Sequence, residues 1–429
     1  MARFIIKGPT RISGEFVPAG NKNAALPMLA AALLTDEPVK FFNIPEIDDV
    51  YIMLEILAYL GVSVEKNAKC ITLRANNINQ TKLPSELCRK IRGSIVLAGP
   101  LAICHGQATV YTPGGDAIGR RRVDTHFDGF RSFGMTVEAD ASRSAYNIAR
   151  ATPEPCALIL DEASVTATEN LLMVATLIPG RSTIYNAACE PHVQDLCQLL
   201  KKMGACIEGI GTNRLIIDGV EKLYGAECSI APDYIETGSF IAAAAATGGE
   251  LTVPLEGDLT PFRIIKRGFL KLGVEWSVED TRLHLSANQE LTVKSDLGMS
   301  IPKIEDGIWP AFPSDLMSVC LVLATQSQGS IIFFEKMFES RMYFVDRLIE
   351  MGARIVQCDP HRVVVNGISQ MYGTRQTSPD IRAGMALLIA ALCAKGESVI
   401  ENAQMIDRGY ANIDARLRAL GADIERVED

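Results

Sequence analysis

The sequence contains few residues of the kinds that build metal sites, and no hydrophobic run of membrane-spanning length. Its 429 residues include five histidines, and its eleven cysteines are scattered without a CxxC pair. Such cysteine usage is typical of reduced thiols in the cytoplasm and argues against structural zinc. The longest apolar run, around residues 383–394, is too short for a bilayer, and residues 1–8 lack the apolar core of a signal peptide. We therefore expect a cytoplasmic protein without a metal or a tightly bound cofactor.

The sequence also lacks the common motifs of nucleotide hydrolysis and hydride transfer. It has no P-loop, no dinucleotide-binding glycine fingerprint in a suitable context and no serine nucleophile elbow. A formal net charge of −9 argues against a nucleic-acid partner or a membrane-surface partner. With 48% hydrophobic residues, the chain has enough apolar material for two or three packed domains.

What the sequence does have is one short phrase that occurs six times. A hydrophobic residue, a glycine and a short strand recur at intervals of roughly 70 residues. This period is longer than the roughly 20–50 residues of common solenoid repeats, which indicates a small αβ unit used six times. The six glycines are Gly61, Gly134, Gly204, Gly273, Gly352 and Gly421.

Each repeat also contains a stretch of small and apolar residues that predicts a helix. These stretches are apolar nearly all round, so we expect them to be buried central helices. Three repeats per lobe would give an N-terminal lobe of residues 22–231 and a C-terminal lobe of residues 232–429 plus 1–21. Two lobes joined by short crossings would form a cleft that closes on a ligand. The predicted central helices are residues 23–34, 93–104, 168–176, 237–246, 314–324 and 382–394.

The predicted starts of these helices allow two interpretations. Thr168 and Thr237 are suitable N-cap residues. Alternatively, the helix N-termini point at a bound anion, because their free N–H groups and dipoles attract negative charge. Lys22, Arg92 and Arg382 favour the anion, since a cation at a helix N-terminus opposes the dipole. For Lys22, a surface lysine at a turn is the simpler alternative.

The segment PGGDAIGRRR, residues 113–122, combines flexibility with charge. Three glycines surround Asp116, and three arginines follow. The pattern indicates a mobile loop that brings a proton donor and anion ligands over a substrate, although a solvated turn would have the same composition.

Asp315 follows a proline-rich stretch at a predicted helix start. It is either an N-cap or a general base toward a substrate hydroxyl. Arg341, Arg382 and Arg408 each provide weak evidence alone. Together they indicate a substrate with several anionic groups, because arginine binds carboxylate and phosphate with two parallel hydrogen bonds.

In combination, these motifs resemble the enolpyruvyl transferase family, over nearly the whole chain from Gly8 to Glu425. The segments that carry the resemblance are GNKNAALP, PGGDAIGRR, APDYIETG, WPAFPSDL, FESRM and IDRGY. The resemblance implies an α/β fold: a two-lobed inside-out α/β barrel of six repeats, three per lobe. It is greatest for the branch that transfers the enolpyruvyl group of phosphoenolpyruvate to the 3′-hydroxyl of UDP-N-acetylglucosamine, releasing phosphate, in the first committed step of peptidoglycan synthesis. The branch acting on shikimate 3-phosphate fits less well.

The resemblance also implies roles for individual residues. Lys22, Arg121 and Arg408 would hold the phosphate of phosphoenolpyruvate, and Arg341 and Arg382 its carboxylate. Asp315 would take the proton of the sugar hydroxyl, and Asp116 and Lys22 would complete the catalytic set. The residues implied to bind the UDP-sugar are Asn23, Arg92, Asp124, His126, Ser164, Val165, Thr166, Asp315 and Met337.

The sequence departs from the family pattern at three positions. Asp116 stands where many members have cysteine, the residue that fosfomycin alkylates, which implies fosfomycin resistance. An aspartate titrates near 3.9 and a cysteine near 8.5, so Asp116 is either an acid whose pKa is raised or a residue of loop closure and product release. Arg122 replaces a common proline and Thr166 a common glycine. A different UDP-sugar or nucleotide acceptor, or a non-catalytic UDP-sugar-binding relative, therefore stays an alternative.

Overall fold

The computed structural model describes residues 2–67, 70–142 and 144–428. The chain divides into two compact units. The N-terminal unit is Gly20–Gly115 with Arg121–Ala231, and the C-terminal unit is Met1–Ala19, Asp116–Arg120 and Pro232–Asp429. The sequence placed the Asp116 loop in the N-terminal lobe, whereas the structure places Asp116–Arg120 in the C-terminal unit.

The assignment of this loop has a physical cause. The Ser340 N–H donates to the Ile118 carbonyl at 3.0 Å, and the Arg120 N–H donates to Glu339 Oε2 at 3.2 Å. These bonds hold the loop against the segment that leads into Arg341.

The N-terminal unit contains three sheets, one for each of its repeats. In the two four-stranded sheets an edge strand runs parallel to its neighbour and the other pairings are antiparallel. The sheets, in spatial order, are Ala226–Ser229, Val39–Phe42, Cys70–Arg74 and Ser63–Lys66; Gln107–Tyr111, Ala145–Ala149 and Thr136–Ala139; and Ala157–Ile159, Gly180–Tyr185, Arg214–Gly219 and Cys206–Glu208.

The C-terminal unit also contains three sheets, each with four strands and the same mixture of one parallel pairing and two antiparallel pairings. In spatial order they are Gly14–Glu15, Leu251–Pro254, Arg282–Leu285 and Ser277–Glu279; Lys303–Glu305, Gly329–Phe334, Arg362–Gly367 and Ile355–Gln357; and Arg375–Thr377, Gly396–Glu401, Arg3–Gly8 and Asp423–Val427.

Two parallel edge strands are exchanged between repeats. In four repeats the parallel pairing is made by chain that immediately precedes the repeat's own central helix. Gly14–Glu15 instead joins the sheet of the fourth repeat, and Ala226–Ser229 joins the sheet of the first. Together with the pairing of Arg3–Gly8 in the sheet of the sixth repeat, the pairing of Gly14–Glu15 explains why the first 19 residues belong to the C-terminal unit.

Within each unit the three central helices pack against one another to form the core. Their residues are almost all buried because small apolar side chains cover every face of the helix. The central helices are Lys22–Ala31 with the 3₁₀ turn Ala32–Leu34; the 3₁₀ helix Arg92–Leu97 with Ala98–His105; Val165–Ala175; Tyr234–Ala246; the 3₁₀ turn Ser314–Leu316 with Met317–Thr325; and Ile381–Cys393.

The remaining helices are shorter or half-exposed. In the described ranges no helix exceeds 13 residues, and none is a candidate for crossing a bilayer. The helices outside the two cores are Asp48–Leu60, Ser85–Cys88, Asp124–Ser132, Pro191–Lys202, Thr260–Leu270, Val345–Glu350, Gln404–Asp407 and Ile413–Ala419, with 3₁₀ turns at Leu297–Met299 and Arg341–Phe344.

The threonine N-caps predicted at two central helices are wrong. The helices begin earlier, and their caps are Ser164 and Asp233, whose side chains accept from main-chain N–H groups of the first turn. The hydroxyls of Thr168 and Thr237 instead donate to the carbonyls of these caps, four residues back, at 2.8 and 2.9 Å. A threonine inside a helix can satisfy its hydroxyl in this way.

The six repeat glycines share one conformation. All six have positive φ, between 78° and 107°. In each repeat the N–H of the following residue bonds to a carbonyl five residues back, as Val62 N does to Leu57 O at 3.0 Å. This geometry closes the second helix of the repeat, and glycine adopts it without a Cβ penalty.

We predict that the first repeat glycine tolerates alanine less well than a matched control. A Cβ at Gly61 would lie 2.3 Å from the Asn77 carbonyl oxygen, whereas a Cβ at Gly106 meets nothing within 4 Å. Both glycines have positive φ and end a helix. Gly106→Ala should cost about 1 kcal/mol, and Gly61→Ala about 1–3 kcal/mol more. Equal shifts of the thermal midpoint in the two variants would contradict the steric argument.

Candidate active site

Asp315 lies at the start of a central helix and forms ion pairs with two arginines. Its Oδ1 accepts from Arg341 Nη2 at 3.1 Å and its Oδ2 accepts from Arg382 Nη2 at 2.8 Å. The helical turn begins at Ser314 with Pro313 before it. Asp315 therefore lies inside the turn and is an ion-pair partner, so its interpretation as an N-cap is wrong.

Arg341 is nearly fully buried and has hydrogen-bonding capacity to spare. The residue is 5% exposed, and its Nε and Nη1 have no hydrogen-bond partner among the described residues. A buried guanidinium with unused N–H groups is costly unless an anion completes it. The geometry therefore fits a carboxylate or phosphate beside Arg341.

Arg382 is held in place by the first turn of the helix Ile381–Cys393. Asp380 caps Ile381–Cys393 by accepting from the N–H groups of Arg382 and Ala383. The Arg382 side chain also donates to the Tyr410 hydroxyl at 3.3 Å, and Tyr410 bonds to the Ser239 hydroxyl at 2.9 Å. Burial opposes the charge of Arg382, but Asp315 and Tyr410 raise its pKa well above the ordinary value.

Arg408 and Asp116 form a second ion pair in the C-terminal unit. Arg408 Nη1 lies 2.8 Å from Asp116 Oδ1, and the two side chains are 13% and 15% exposed. The glycine-rich loop thus places its carboxylate on an arginine that the sequence assigns to phosphate.

In the N-terminal unit, Lys22 opens the first central helix. Asn21 caps this helix, and Lys22 Nζ pairs with Asp49 Oδ2 at 3.1 Å with the lysine side chain 12% exposed. Lys22 is therefore not a freely solvated surface lysine. Asn23 follows it in the helix and is partly exposed.

Arg92 organises the segment that leaves the glycine-rich loop. Its Nη2 donates to the carbonyls of Arg121 and Arg122 at 2.7 and 2.9 Å. Burial, with Arg121 nearby, lowers the pKa of Arg92 to about 10. These bonds fix the main chain of Arg121.

The residues implied to bind the nucleotide form a connected group. Asp124 pairs with Arg122 at 2.6 Å, and His126 Nε2 lies 3.1 Å from the Thr166 hydroxyl. Burial and Arg92 lower the pKa of His126 to about 3, so its ring stays neutral near pH 7. Ser164 caps the helix that begins at Val165.

The structure therefore distributes the predicted set over the two units. Asp116, Asp315, Met337, Arg341, Arg382 and Arg408 belong to the C-terminal unit, and the other nine belong to the N-terminal unit. Met337 is 40% exposed, in the loop that precedes Arg341. The sequence reasoning missed four residues that contact this set: Asp49 pairs with Lys22, Ser239 bonds to Tyr410, Glu335 accepts from the Ser314 hydroxyl, and Asp306 lies beside Glu335. Glu335 carried a usable signal, because it is a charged residue directly after the apolar strand Gly329–Phe334.

Similarity to known proteins covers the whole chain. A family model described as EPSP synthase (3-phosphoshikimate 1-carboxyvinyltransferase) matches residues 6–417. A protein of Treponema denticola named UDP-N-acetylglucosamine 1-carboxyvinyltransferase is 49% identical over 100% of both chains. A protein of Borreliella burgdorferi with the same name is 48% identical, again over 100% of both.

Solved structures show the same fold. The enolpyruvyl transferase NikO from Streptomyces tendae has a TM-score of 0.88 at 23% identity, over 99% of both chains. EPSP synthase from Acinetobacter baumannii has a TM-score of 0.76 at 16% identity, over 100% of both. These likenesses confirm the predicted α/β fold class. By the family match and by relatives nearly half identical over their full length, the chain belongs to the EPSP synthase family of enolpyruvyl (carboxyvinyl) transferases.

Proposed function

We propose that this enzyme transfers the enolpyruvyl group of phosphoenolpyruvate to the 3′-hydroxyl of UDP-N-acetylglucosamine and releases phosphate. The observation that carries the proposal is the 47–49% identity, over nearly the full length, to relatives named UDP-N-acetylglucosamine 1-carboxyvinyltransferase. The product would enter peptidoglycan synthesis. The eleven free cysteines and the two metabolites support the cytoplasm as the place of the reaction.

Arg341 and Arg382 are the proposed ligands of the phosphoenolpyruvate carboxylate. The unused Nε and Nη1 of Arg341 support this assignment. Arginine is suited to the task because its planar fork matches a carboxylate. Asp315 occupies one nitrogen of each arginine, so the substrate would share these cations with the base.

Lys22, Arg121 and Arg408 are the proposed ligands of the phosphate. Lys22 pairs with Asp49 and Arg408 pairs with Asp116, and both cations are largely buried. Asp49 balances the charge of Lys22, and Asp116 balances the charge of Arg408. A bound phosphate would balance the same two cations. Cations held in place before the reaction stabilise developing negative charge without reorganisation.

Asp315 is the proposed general base. The methylene carbon of phosphoenolpyruvate gains a proton, and the adjacent carbon becomes an oxocarbenium-like centre. The 3′-hydroxyl attacks this centre and gives its proton to Asp315. The tetrahedral intermediate then loses phosphate from that carbon and a proton from the new methyl group, which restores the double bond.

Asp116 is assigned to product release. Its carboxylate accepts a hydrogen bond from Arg408, the proposed phosphate ligand. Asp116 and phosphate would therefore compete for the same guanidinium. A loop that returns its carboxylate to Arg408 would help the phosphate to leave.

Asn23, Arg92, Asp124, His126, Ser164, Val165, Thr166 and Met337 are the proposed UDP-sugar residues, together with Asp315. The hydrogen bond between His126 and Thr166 joins two of the elements that carry them. A different acceptor is not favoured, because the full-length relatives share one name.

The direct test is phosphate release from phosphoenolpyruvate. We expect release with UDP-N-acetylglucosamine and none with shikimate 3-phosphate. Release with shikimate 3-phosphate alone would contradict the proposed acceptor. Binding of both substrates without release would support a non-catalytic relative.

Replacing the proposed base should reduce turnover far more than binding. Asp315→Asn keeps the shape of the side chain but cannot accept the proton, so we expect kcat to fall about 10²–10⁴-fold. Asp359→Asn is a matched control, since Asp359 pairs with Arg362 at the surface of the same unit. A loss of kcat below about fivefold in Asp315→Asn would exclude Asp315 as the base.

Fosfomycin should leave the wild-type enzyme active. Asp116 offers no thiol, and the eleven native cysteines lie elsewhere in the chain. Asp116→Cys should show time-dependent inactivation and one covalent adduct by mass spectrometry, because fosfomycin alkylates the thiol found at this place in the family. An adduct on Asp116 in the wild-type protein would overturn the prediction.

A further inference from the structure

Two buried carboxyl groups have no role in the reaction steps above: Glu335, which lies beside Arg341, and Asp306, which lies beside Glu335. Glu335 is 0% exposed and Asp306 is 1% exposed. Their side chains are within hydrogen-bonding reach of each other, and burial together with Asp306 raises the pKa of Glu335 to about 9. Adjacent carboxyl groups in a dry environment cannot both ionise easily, so the pair holds one proton near pH 7.

A shared proton also resolves an unsatisfied oxygen. Asp306 Oδ1 accepts from the Lys336 N–H at 2.5 Å. If Asp306 and Glu335 are both ionised, Asp306 Oδ2 is buried without a hydrogen-bond partner among the described residues. A protonated Glu335 supplies the missing donor, which removes the cost of leaving that oxygen unpaired.

Glu335 is bonded to the two segments that carry proposed active-site residues. Each of its carboxyl oxygens lies 2.9 Å from the Ser314 hydroxyl, and Ser314 directly precedes Asp315. Glu335 Oε1 also accepts from the Phe338 N–H at 3.1 Å, and the Phe338 carbonyl accepts from the Arg341 N–H at 3.4 Å. One side chain thus joins the turn of the base to the turn of a substrate-binding arginine.

The protonation state of Glu335 decides how much of the positive charge of Arg341 is already balanced within the protein. Glu335 Oε2 lies 3.8 Å from Arg341 Nε, which has no hydrogen-bond partner in the described part of the chain. A neutral Glu335 leaves the positive charge of Arg341 available to a substrate anion. A fully ionised pair would oppose the binding of that anion.

We propose that Glu335 is a positioning residue of the enolpyruvyl transfer site: it shares one proton with Asp306 and, through Ser314 and the Phe338 N–H, holds Asp315 and Arg341 in register. The proposal rests on the proposed function for the identity of the reaction, whereas its effect on the affinity for phosphoenolpyruvate is independent of the acceptor.

The first test compares three variants by steady-state kinetics. Glu335→Ala and Ser314→Ala should each raise KM for phosphoenolpyruvate and lower kcat. In each variant kcat/KM should fall by about tenfold or more, since small displacements of reacting groups are costly. Glu335→Gln should rescue the loss seen in Glu335→Ala, because its amide can donate to Asp306 as the acid does. Ser327→Ala is the control for a lost buried serine hydroxyl in the same unit, since Ser327 donates only to main-chain carbonyls.

The second test is the pH profile of KM for phosphoenolpyruvate. Because the pKa of Glu335 is raised, the neutral form predominates below about pH 9 and is lost as the pH rises through 9. KM of the wild-type enzyme should therefore rise above pH 9, and Glu335→Gln should lack that rise. The other charged groups around Glu335 are the same in both proteins, so the difference isolates this residue; they are Asp306, Asp315, Lys336, Arg341 and His361.

Two results would overturn the proposal. If Glu335→Gln is as defective as Glu335→Ala, Glu335 acts as an ionised partner of Arg341. If Ser314→Ala behaves like Ser327→Ala, with a lower thermal midpoint and unchanged kinetics, the link to Asp315 is only structural. If the wild-type enzyme shows no turnover with UDP-N-acetylglucosamine, the proposed acceptor fails, and calorimetric titration with phosphoenolpyruvate applies the same criteria to its affinity.

Discussion

The structure of the C-terminal unit depends on how two buried arginine side chains are paired with negative charge. Arg341 and Arg382 are each 5% exposed, and a buried cation costs several kcal/mol unless it is paired. Asp315 gives one carboxylate to both of them. Within the described part of the chain, Nε and Nη1 of Arg341 have no hydrogen-bond partner. An anion bound at this place, such as the carboxylate of the proposed substrate, would remove that cost, and Asp315, the proposed base, would lie beside it.

The repeats explain how such charges can be positioned accurately. Each central helix has small apolar residues on all faces and packs tightly within its unit, so the first turn of each helix is rigidly placed. The left-handed glycine that ends the second helix of every repeat directs the chain back into the sheet. Several of the proposed site residues lie at these helix starts, where the repeats differ in sequence, such as Lys22, Asp315 and Arg382.

Much of this architecture could be predicted from the sequence, because periodic features are local. The six central helices follow from their composition of small and apolar residues. The errors have two causes, one local and one long-range. Thr168 and Thr237 looked like caps, but Ser164 and Asp233 begin the helices earlier. The exchange of Gly14–Glu15 and Ala226–Ser229 has no local signal, nor does the pairing of Glu335 with Asp306. The arginines together indicate an anionic substrate, but their assignment to the carboxylate or the phosphate rests on the family resemblance and stays a prediction.

The most direct measurement of the central claim is a crystal structure of the enzyme with bound phosphoenolpyruvate. The account predicts that the substrate carboxylate lies within hydrogen-bonding distance of Arg341, at the Nε or Nη1 group that the protein leaves unused, and next to Asp315. A carboxylate bound away from both Arg341 and Arg382, with the Asp315 ion pairs unchanged, would contradict it.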